Sequence, residues 1–327
     1  MRKPETTVHT GPLTRRAMSA SLAATLAACA PRSAGKNAGP PVRIGFQRGG
    51  VLLLAKARGG LDQALAGRAA GVQWVEFPSG PPLMEALGAG AIDLGAVGES
   101  PPIFAQAAGS PIVYAAAQPV SGAASALLVP AASTARRLAD LKGRRIAFTK
   151  ASSAHLFVLE ALKQAGMTLA DIRPAYLSPG DAAAAFSSGS IDAWSTWDPY
   201  YALAQRNQNA RAILTGESLP RTNAFLVASR AFAEDGRGAL AATLGALKVQ
   251  AAWGEAHRDE VAAVIARATG LPPEIAAATL RRGPFAVRPI DEATIAEQQA
   301  CADLFFAVGA LPKAVDVRTA AWRRWPG

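Results

Sequence analysis

The chain has 327 residues, with 34 basic and 24 acidic side chains, a formal net charge of +10, two cysteines and three histidines. That length suits two globular units with cores of their own, while two cysteines exclude a disulfide framework and a four-thiolate zinc site. No apolar run reaches the roughly 18 residues of a membrane-crossing helix, and the basic excess forms no dense Lys/Arg block of the kind nucleic-acid binding needs.

The first 16 residues are polar and basic and end in Thr14-Arg15-Arg16; a weakly apolar stretch then leads to Leu26-Ala27-Ala28-Cys29. A charged leader, a short apolar region and small residues before a cut site predict an export signal over residues 1–28. The paired arginines suggest the twin-arginine route. Leu-Ala-Ala-Cys resembles the bacterial lipoprotein box, in which Cys29 becomes the lipidated first residue; an ordinary cleavage site beside a chance cysteine is the alternative. Removing 1–28 takes away Arg2, Lys3, Arg15 and Arg16 against Glu5 and leaves a charge of +7. That excess can steer anionic ligands or attract membrane surfaces. Residues 29–41, rich in Pro, Gly and small side chains, read as a flexible tether. Once Cys29 is lipidated, Cys301 has no partner and reads as a small buried hydrophobe.

From Val42 onward, short strand-like runs alternate with helical runs, the signature of α/β layers. Strands are predicted at 43–46, 72–77, 94–97, 112–117 and 126–129. Between them, helices are predicted over 51–66, from 78–82 through Gly90, and from Pro101. The same grammar then repeats, with strands at 145–150, 175–177, 193–197 and 212–214 and helices at 153–164, at 181–186 and from Asp198. After a strand at 223–229 the chain reads as helical to its end, with one extended piece near 285–289. One echo ties the halves together. Gly90-Ala91-Ile92-Asp93 precedes a strand ending at Gly98-Glu99, and ninety-nine residues later Gly189-Ser190-Ile191-Asp192 precedes one ending at Trp197-Asp198. Each glycine suits a helix end because it tolerates positive φ, and Glu99 and Asp198 sit where a carboxylate would satisfy orphan amides at a helix start. Two related lobes follow: 42–125 with 226–327 as the first and 126–225 as the second. Ligands of open α/β sheets bind beyond the carboxyl ends of the strands, so facing lobes would share one cleft.

Enzymatic motifs are thin. No HExxH, GxSxG, Walker A loop or GxGxxG after the first strand is present. His257, in a charged stretch, reads as part of a solvated helix face; His155, after Ser152-Ser153, reads equally as a partner for a helix terminus or as a functional group. The strongest anion site is Lys150-Ala151-Ser152-Ser153-Ala154-His155, where a strand ends and two hydroxyls meet the free N–H groups of a helix start; plain serine capping is the alternative. The same strand-to-helix logic recurs at Phe77-Pro78-Ser79-Gly80 and at Gln47-Arg48-Gly49-Gly50, where glycine lets backbone amides approach a ligand. Trp194 and Trp197 point to opposite strand faces; Trp197 is the apolar wall and Trp194 the core residue. Arg221-Thr222-Asn223 supplies either polar contacts or a hinge turn between lobes.

Arg43-Ile44-Gly45-Phe46-Gln47, Trp74-Val75-Glu76-Phe77-Pro78-Ser79-Gly80-Pro81, Gly90-Ala91-Ile92-Asp93-Leu94-Gly95 and Pro101-Pro102-Ile103-Phe104-Ala105-Gln106-Ala107-Ala108-Gly109 occur in that order. Ser152-Ser153-Ala154-His155, Asp192-Ala193-Trp194-Ser195-Thr196-Trp197-Asp198-Pro199-Tyr200-Tyr201, Ala302-Asp303-Leu304-Phe305 and Val315-Asp316-Val317-Arg318 follow. With these, the chain from Arg43 to about Arg324 resembles the periplasmic aliphatic sulfonate-binding proteins of ABC importers, close to the taurine- and nitrate-binding relatives. The resemblance implies the two-lobe periplasmic binding protein fold (type II) with two crossovers, and an exported, monomeric protein that catalyses nothing. It would hand an alkanesulfonate to an ABC permease and its ATPase, with no cofactor and no metal, and touch the membrane only through a lipidated Cys29. It also implies a cleft lined by Gln47, Gly49, Gly50, Ser79, Gly80, Gly98, Glu99, Ser100, Ser152, Ser153, His155, Trp197, Asp198, Thr222 and Asn223. The chain departs from the family pattern at Ala151, where glycine is common, at Glu99, where aspartate is common, and at Gly50, where serine is common. Taurine, nitrate or a thiamine-precursor-like heterocycle are the alternative ligands; a pyrimidine-precursor synthase that consumes its own histidine and a sensor lobe are the alternative classes.

Overall fold

Apolar runs of four to eight residues give ten strands: β1 (Val42–Phe46), β2 (Val72–Glu76), β3 (Leu94–Val97), β4 (Ile112–Pro119), β5 (Ser125–Pro130), β6 (Arg145–Phe148), β7 (Arg173–Tyr176), β8 (Ala193–Trp197), β9 (Ala210–Thr215) and β10 (Asn223–Ser229). The computed structural model describes residues 39–235 and 238–325. The predicted export signal, Cys29 and the tether up to residue 38 lie outside the described residues. Gly39 pairs with Ala69 in an isolated bridge.

The strands form two five-stranded sheets of the same plan, β2-β1-β3-β10-β4 and β7-β6-β8-β5-β9. In each, three parallel strands are followed by two that pair antiparallel. The inner of those two, β10 in the first sheet and β5 in the second, is the strand that arrives from the other half. The chain therefore crosses between sheets twice, at 120–124 and 216–222, which is the two-lobe α/β architecture. The crossings pack backbone on backbone: a Cβ on Gly122 would lie 2.2 Å from the Gly216 carbonyl carbon, so only glycine fits there.

The internal echo has a physical content. Asp93 accepts the Arg43 N–H at 2.8 Å and returns its own N–H to the Arg43 carbonyl, also at 2.8 Å. Asp192 does the same with Arg145, at 2.7 and 2.9 Å. Each aspartate thus locks the start of a third parallel strand beside the first. Gly90 and Gly189 precede them at φ +70° and +72°, and Ile92 and Ile191 are buried.

Two expectations change in detail. The helix expected over 51–66 is broken into Gly50–Arg58 and Leu61–Ala64. Gly59 and Gly60 both take positive φ, 75° and 98°, which ends the helix although Leu61 and Leu65 keep the apolar register and are buried. The extended piece near 285–289 makes only a bridge, from Arg288 to Ala117.

The lobes touch on both flanks of the cleft. The helix Ser153–Gln164 buries Phe157, Val158, Ala161 and Leu162 in its own lobe, while Leu156 and Leu159 pack with Ile103 and Phe305 of the first. On the other flank Ala202 and Leu203 meet Leu271 and Ile275. Cys301 is buried in the helix Glu292–Ala307, as a small hydrophobe would be.

Candidate ligand-binding site

Five helices start where parallel strands end and bring their first residues to one cavity of about 700 Å³. From the first lobe come Gly50, Gly80 and Glu99 with Pro101; from the second come Ser152 with Ser153, and Asp198 with Tyr200. Helix starts carry unpaired N–H groups and the positive end of the macrodipole, so their convergence makes an anion site. Sheet order alone places them together, because β1, β2 and β3, like β6 and β8, end on the same side.

Among the residues expected at the cleft, Gln47, Gly49, Gly50, Gly80, Gly98, Glu99, Ser152, Ser153, Trp197, Asp198 and Thr222 line the cavity. Ser79, Ser100, His155 and Asn223 do not. Ser79 and Ser100 are buried behind the wall, and Ser100 Oγ donates to Glu99 Oε1 at 2.9 Å. Asn223 Nδ2 is spent on Glu297 Oε2 at 2.6 Å. His155 turns into a cage of rings: Phe148 stacks on it at 5.1 Å and Phe305 lies at 5.2 Å, with Tyr176 and Phe104 further out. Burial there, with Lys150 nearby, pushes the imidazole down to about 4, so it is neutral at neutral pH. Its Nδ1 accepts the Ala151 N–H at 3.3 Å. Ala151 holds φ +59°, a conformation that costs a non-glycine residue about 1–2 kcal/mol, and His155 thus braces the turn that presents the two serines.

The serines divide their work. Ser152 Oγ donates to the Thr149 carbonyl at 2.7 Å and accepts the Ala154 N–H at 3.2 Å, which is a helix cap. Ser153 Oγ reaches across the cleft to Glu99 Oε2 at 3.0 Å. The approach is close enough that a Cβ on Gly98 would fall 1.9 Å from Ser153 Oγ.

The expectation that Glu99 and Asp198 cap their helices holds for one of them. Asp198 Oδ1 accepts the Ala202 N–H at 3.2 Å and meets Arg282 Nη1 at 3.1 Å. Burial raises its carboxyl above the ordinary aspartate range, and the Arg282 guanidinium and the Ala202 N–H pull the other way. Glu99 bonds hydroxyls rather than its helix's amides, and among the described residues it has no ion-pair partner. Burial pushes its carboxyl up, opposed by its own backbone N–H and the Ser100 and Ser153 hydroxyls.

Arg48, paired with Glu76 at 3.1 Å, and Arg221, with no ion-pair partner among the described residues, stand in two loops the sequence singled out and bring cations. Sequence reasoning missed other lining residues. Tyr200 lines the wall and donates to the Pro78 carbonyl across the lobes at 3.1 Å. Glu160 and Leu156 lie on the Ser153 face of their helix, seven and three residues on, so helical periodicity was the available signal. Trp197, edge-on to Tyr200, supplies the apolar wall, whereas Trp194 is buried in the second lobe's core. Among the described residues, no group of three or more His, Cys, Asp or Glu side chains could hold a metal ion, and no helix is long and apolar enough to cross a membrane.

Two such lobes, joined by two crossovers around an anion-accepting cleft, define a periplasmic-type substrate-binding protein. The family model of the phosphonate periplasmic substrate-binding proteins of ABC transporters matches residues 71–271. An aliphatic sulfonates-binding protein of Escherichia coli (strain K12) is 40% identical over 284 residues, 86% of this chain and 88% of that protein. A second, from Bacillus subtilis (strain 168), is 33% identical over 279 residues, 85% of this chain and 84% of that one. Among solved structures, the alkanesulfonate-binding protein SsuA from Xanthomonas axonopodis pv. citri bound to MOPS superposes with a TM-score of 0.82 at 42% identity, covering 86% of this chain and 98% of that one. The chain belongs to the family of ABC-transporter periplasmic substrate-binding proteins, in the branch of these aliphatic sulfonate-binding relatives, as the resemblance read from the sequence implies.

Proposed function

We propose that this protein captures aliphatic sulfonates in the interlobe cleft and delivers them to the permease and ATPase of an ABC importer, catalysing no reaction itself. The observation that carries this reading is the convergence of five helix starts and the Ser153 hydroxyl beside an apolar wall. A sulfonate is fully ionised near neutral pH and offers three acceptor oxygens and no proton, so a site built of donors suits it. Arg221 and Arg48 add positive charge, and Trp197, Leu156 and Phe157 offer apolar surface for the organic tail. Export, lipidation of Cys29, a monomeric state and residence outside the cytoplasmic membrane belong to the same reading, supported by the periplasmic relatives and the Leu-Ala-Ala-Cys motif. Taurine, nitrate and heterocyclic ligands are not favoured, because the relatives matched over most of their length are aliphatic sulfonate binders.

A thermal-shift panel tests the reading with ethanesulfonate, hexanesulfonate, taurine, nitrate, sulfate and phosphate. A ligand at a hundred times its Kd stabilises the fold by about 2.7 kcal/mol, a rise in Tm of a few degrees at this size. The alkanesulfonates are expected to give that rise, the longer tail at lower concentration. A rise with phosphate or nitrate and none with the sulfonates would overturn the assignment.

A further inference from the structure

Glu99 is out of keeping with an anion site. It lines the cavity yet is only 3% exposed, and its side chain is held by two hydroxyls, Ser100 Oγ on its own lobe and Ser153 Oγ on the other. Gln298 Nε2 pins its backbone carbonyl at 2.6 Å and touches Tyr114 Oη at 3.4 Å. The titratable groups around it do not supply a compensating charge. From the helix Glu292–Ala307 come Cys301, its thiol pushed up by burial, and Glu297; from the helix Ser153–Gln164 come Glu160 and the caged, neutral His155, with Lys150 before that helix; from β4 comes Tyr114, its hydroxyl also pushed up by burial. Arg48 and Arg221 line the same cavity, and neither forms an ion pair with Glu99.

A carboxylate and a sulfonate enclosed together would face each other as like charges in a space the closing lobes empty of water. We infer that closure of the lobes on a sulfonate takes up one proton from solvent, and that Glu99 receives it. The balance is simple: the Glu99 carboxylate and one proton become a carboxylic acid, and no other bond is made or broken. The acid then donates to Ser153 Oγ, the reverse of the present bond, and the Ser153 hydroxyl hydrogen turns to a sulfonate oxygen. A hydroxyl can do this because it offers one donor and two acceptor positions. Proton uptake thus makes Ser153 a ligand donor in the closed complex, and two hydrogen bonds in series through its hydroxyl join the two lobes, the carboxyl and the anion. Burial of Glu99 with its carboxyl pushed up agrees with this direction.

The linkage has a definite sign. Burial already pushes the carboxyl up, and a sulfonate enclosed beside it pushes it further in the same direction. Affinity is therefore greatest at low pH, where the carboxyl is protonated before and after binding, and falls as pH rises through the value it holds in the complex, by up to tenfold per pH unit.

This inference rests on the sulfonate reading, and the test separates the two. Hexanesulfonate is titrated calorimetrically into the purified protein at pH 6–7 in buffers of different ionisation enthalpy, which yields the number of protons exchanged. Net proton uptake is expected from the native protein and no uptake from Glu99→Gln. Binding with no proton exchange, or with release, overturns the inference and leaves the sulfonate reading standing. So does Glu99→Gln that still takes up a proton. Should that variant fail to fold, the native sign and Asp198→Asn decide together: burying His155 on closure can only release a proton, and uptake that disappears in Asp198→Asn would belong to Asp198 and overturn the inference. A folded protein that binds no alkanesulfonate would sink the sulfonate reading, and the inference with it.

Discussion

Glu99 and Asp198 occupy the same step of the two lobes, each directly after the third parallel strand and at the start of a helix, and each reaches into the opposite lobe. Asp198 ends on Arg282, which stacks on Tyr201 at 3.9 Å and follows a helix that buries Ala276 and Leu280 in the first lobe's core. Glu99 ends on the Ser153 hydroxyl. One half-site therefore closes with an Arg–carboxylate pair and the other with a hydroxyl–carboxyl hydrogen bond. The difference shows how one duplicated plan can serve two ends: the charge pair clamps the lobes, and the hydroxyl bond, which brings no cation, sits where an anion must be accommodated.

Removing the clamp's cation gives the largest expected effect. Arg282→Met leaves a buried carboxylate without its partner, and breaking such a pair costs roughly 3–5 kcal/mol, to be read by urea denaturation together with a weakened Kd. Asp198→Asn in the same chain should restore much of the loss; a single variant as stable as the native protein would show that the pair clamps nothing. Next comes a pH effect on the Glu99 side. The His155 imidazole lies near 4 in the folded protein and near 6.5 when unfolded, so the folded state binds fewer protons. Stability is full above about 6.5 and falls toward pH 4, by as much as about 3 kcal/mol. His155→Phe should flatten thermal stability over that window, and an unchanged slope would place the imidazole in water. Gly98→Ala puts a methyl group against Ser153 across the closed cleft; overpacking of about 1–3 kcal/mol should weaken sulfonate binding tenfold or more while Tm of the free protein changes little. The smallest effects separate neighbours. Ser152→Ala should lower stability by about 1 kcal/mol as a lost cap. Ser153→Ala should instead weaken sulfonate affinity by about tenfold, the worth of one hydrogen bond. Equal effects in both assays would erase the division between them.

The architecture was legible because strand-helix alternation and the Ile-Asp echo are local signals, and Asp93 and Asp192 turn that echo into matching hydrogen bonds. The helix starts at Gly50, Gly80 and Ser153 were legible for the same reason, and the helix expected from Asp198 begins two residues on, at Tyr200. What escaped depends on which lobe faces which. His155 reads as a site residue because it follows two serines, yet the rings that enclose it include Phe104 and Phe305, distant in sequence and contributed by the other lobe. Arg282 escaped because nothing near it in sequence announces Asp198, 84 residues away. The break at Gly59-Gly60 was masked by leucines that keep their register across it.

The measurement closest to the central claim is a crystal structure of the protein with hexanesulfonate. The account predicts the sulfonate between the lobes, within hydrogen-bonding distance of Ser153 Oγ and of backbone N–H groups at helix starts from both lobes, with the tail along Trp197. A sulfonate bound by one lobe alone, or outside this cleft, would contradict it.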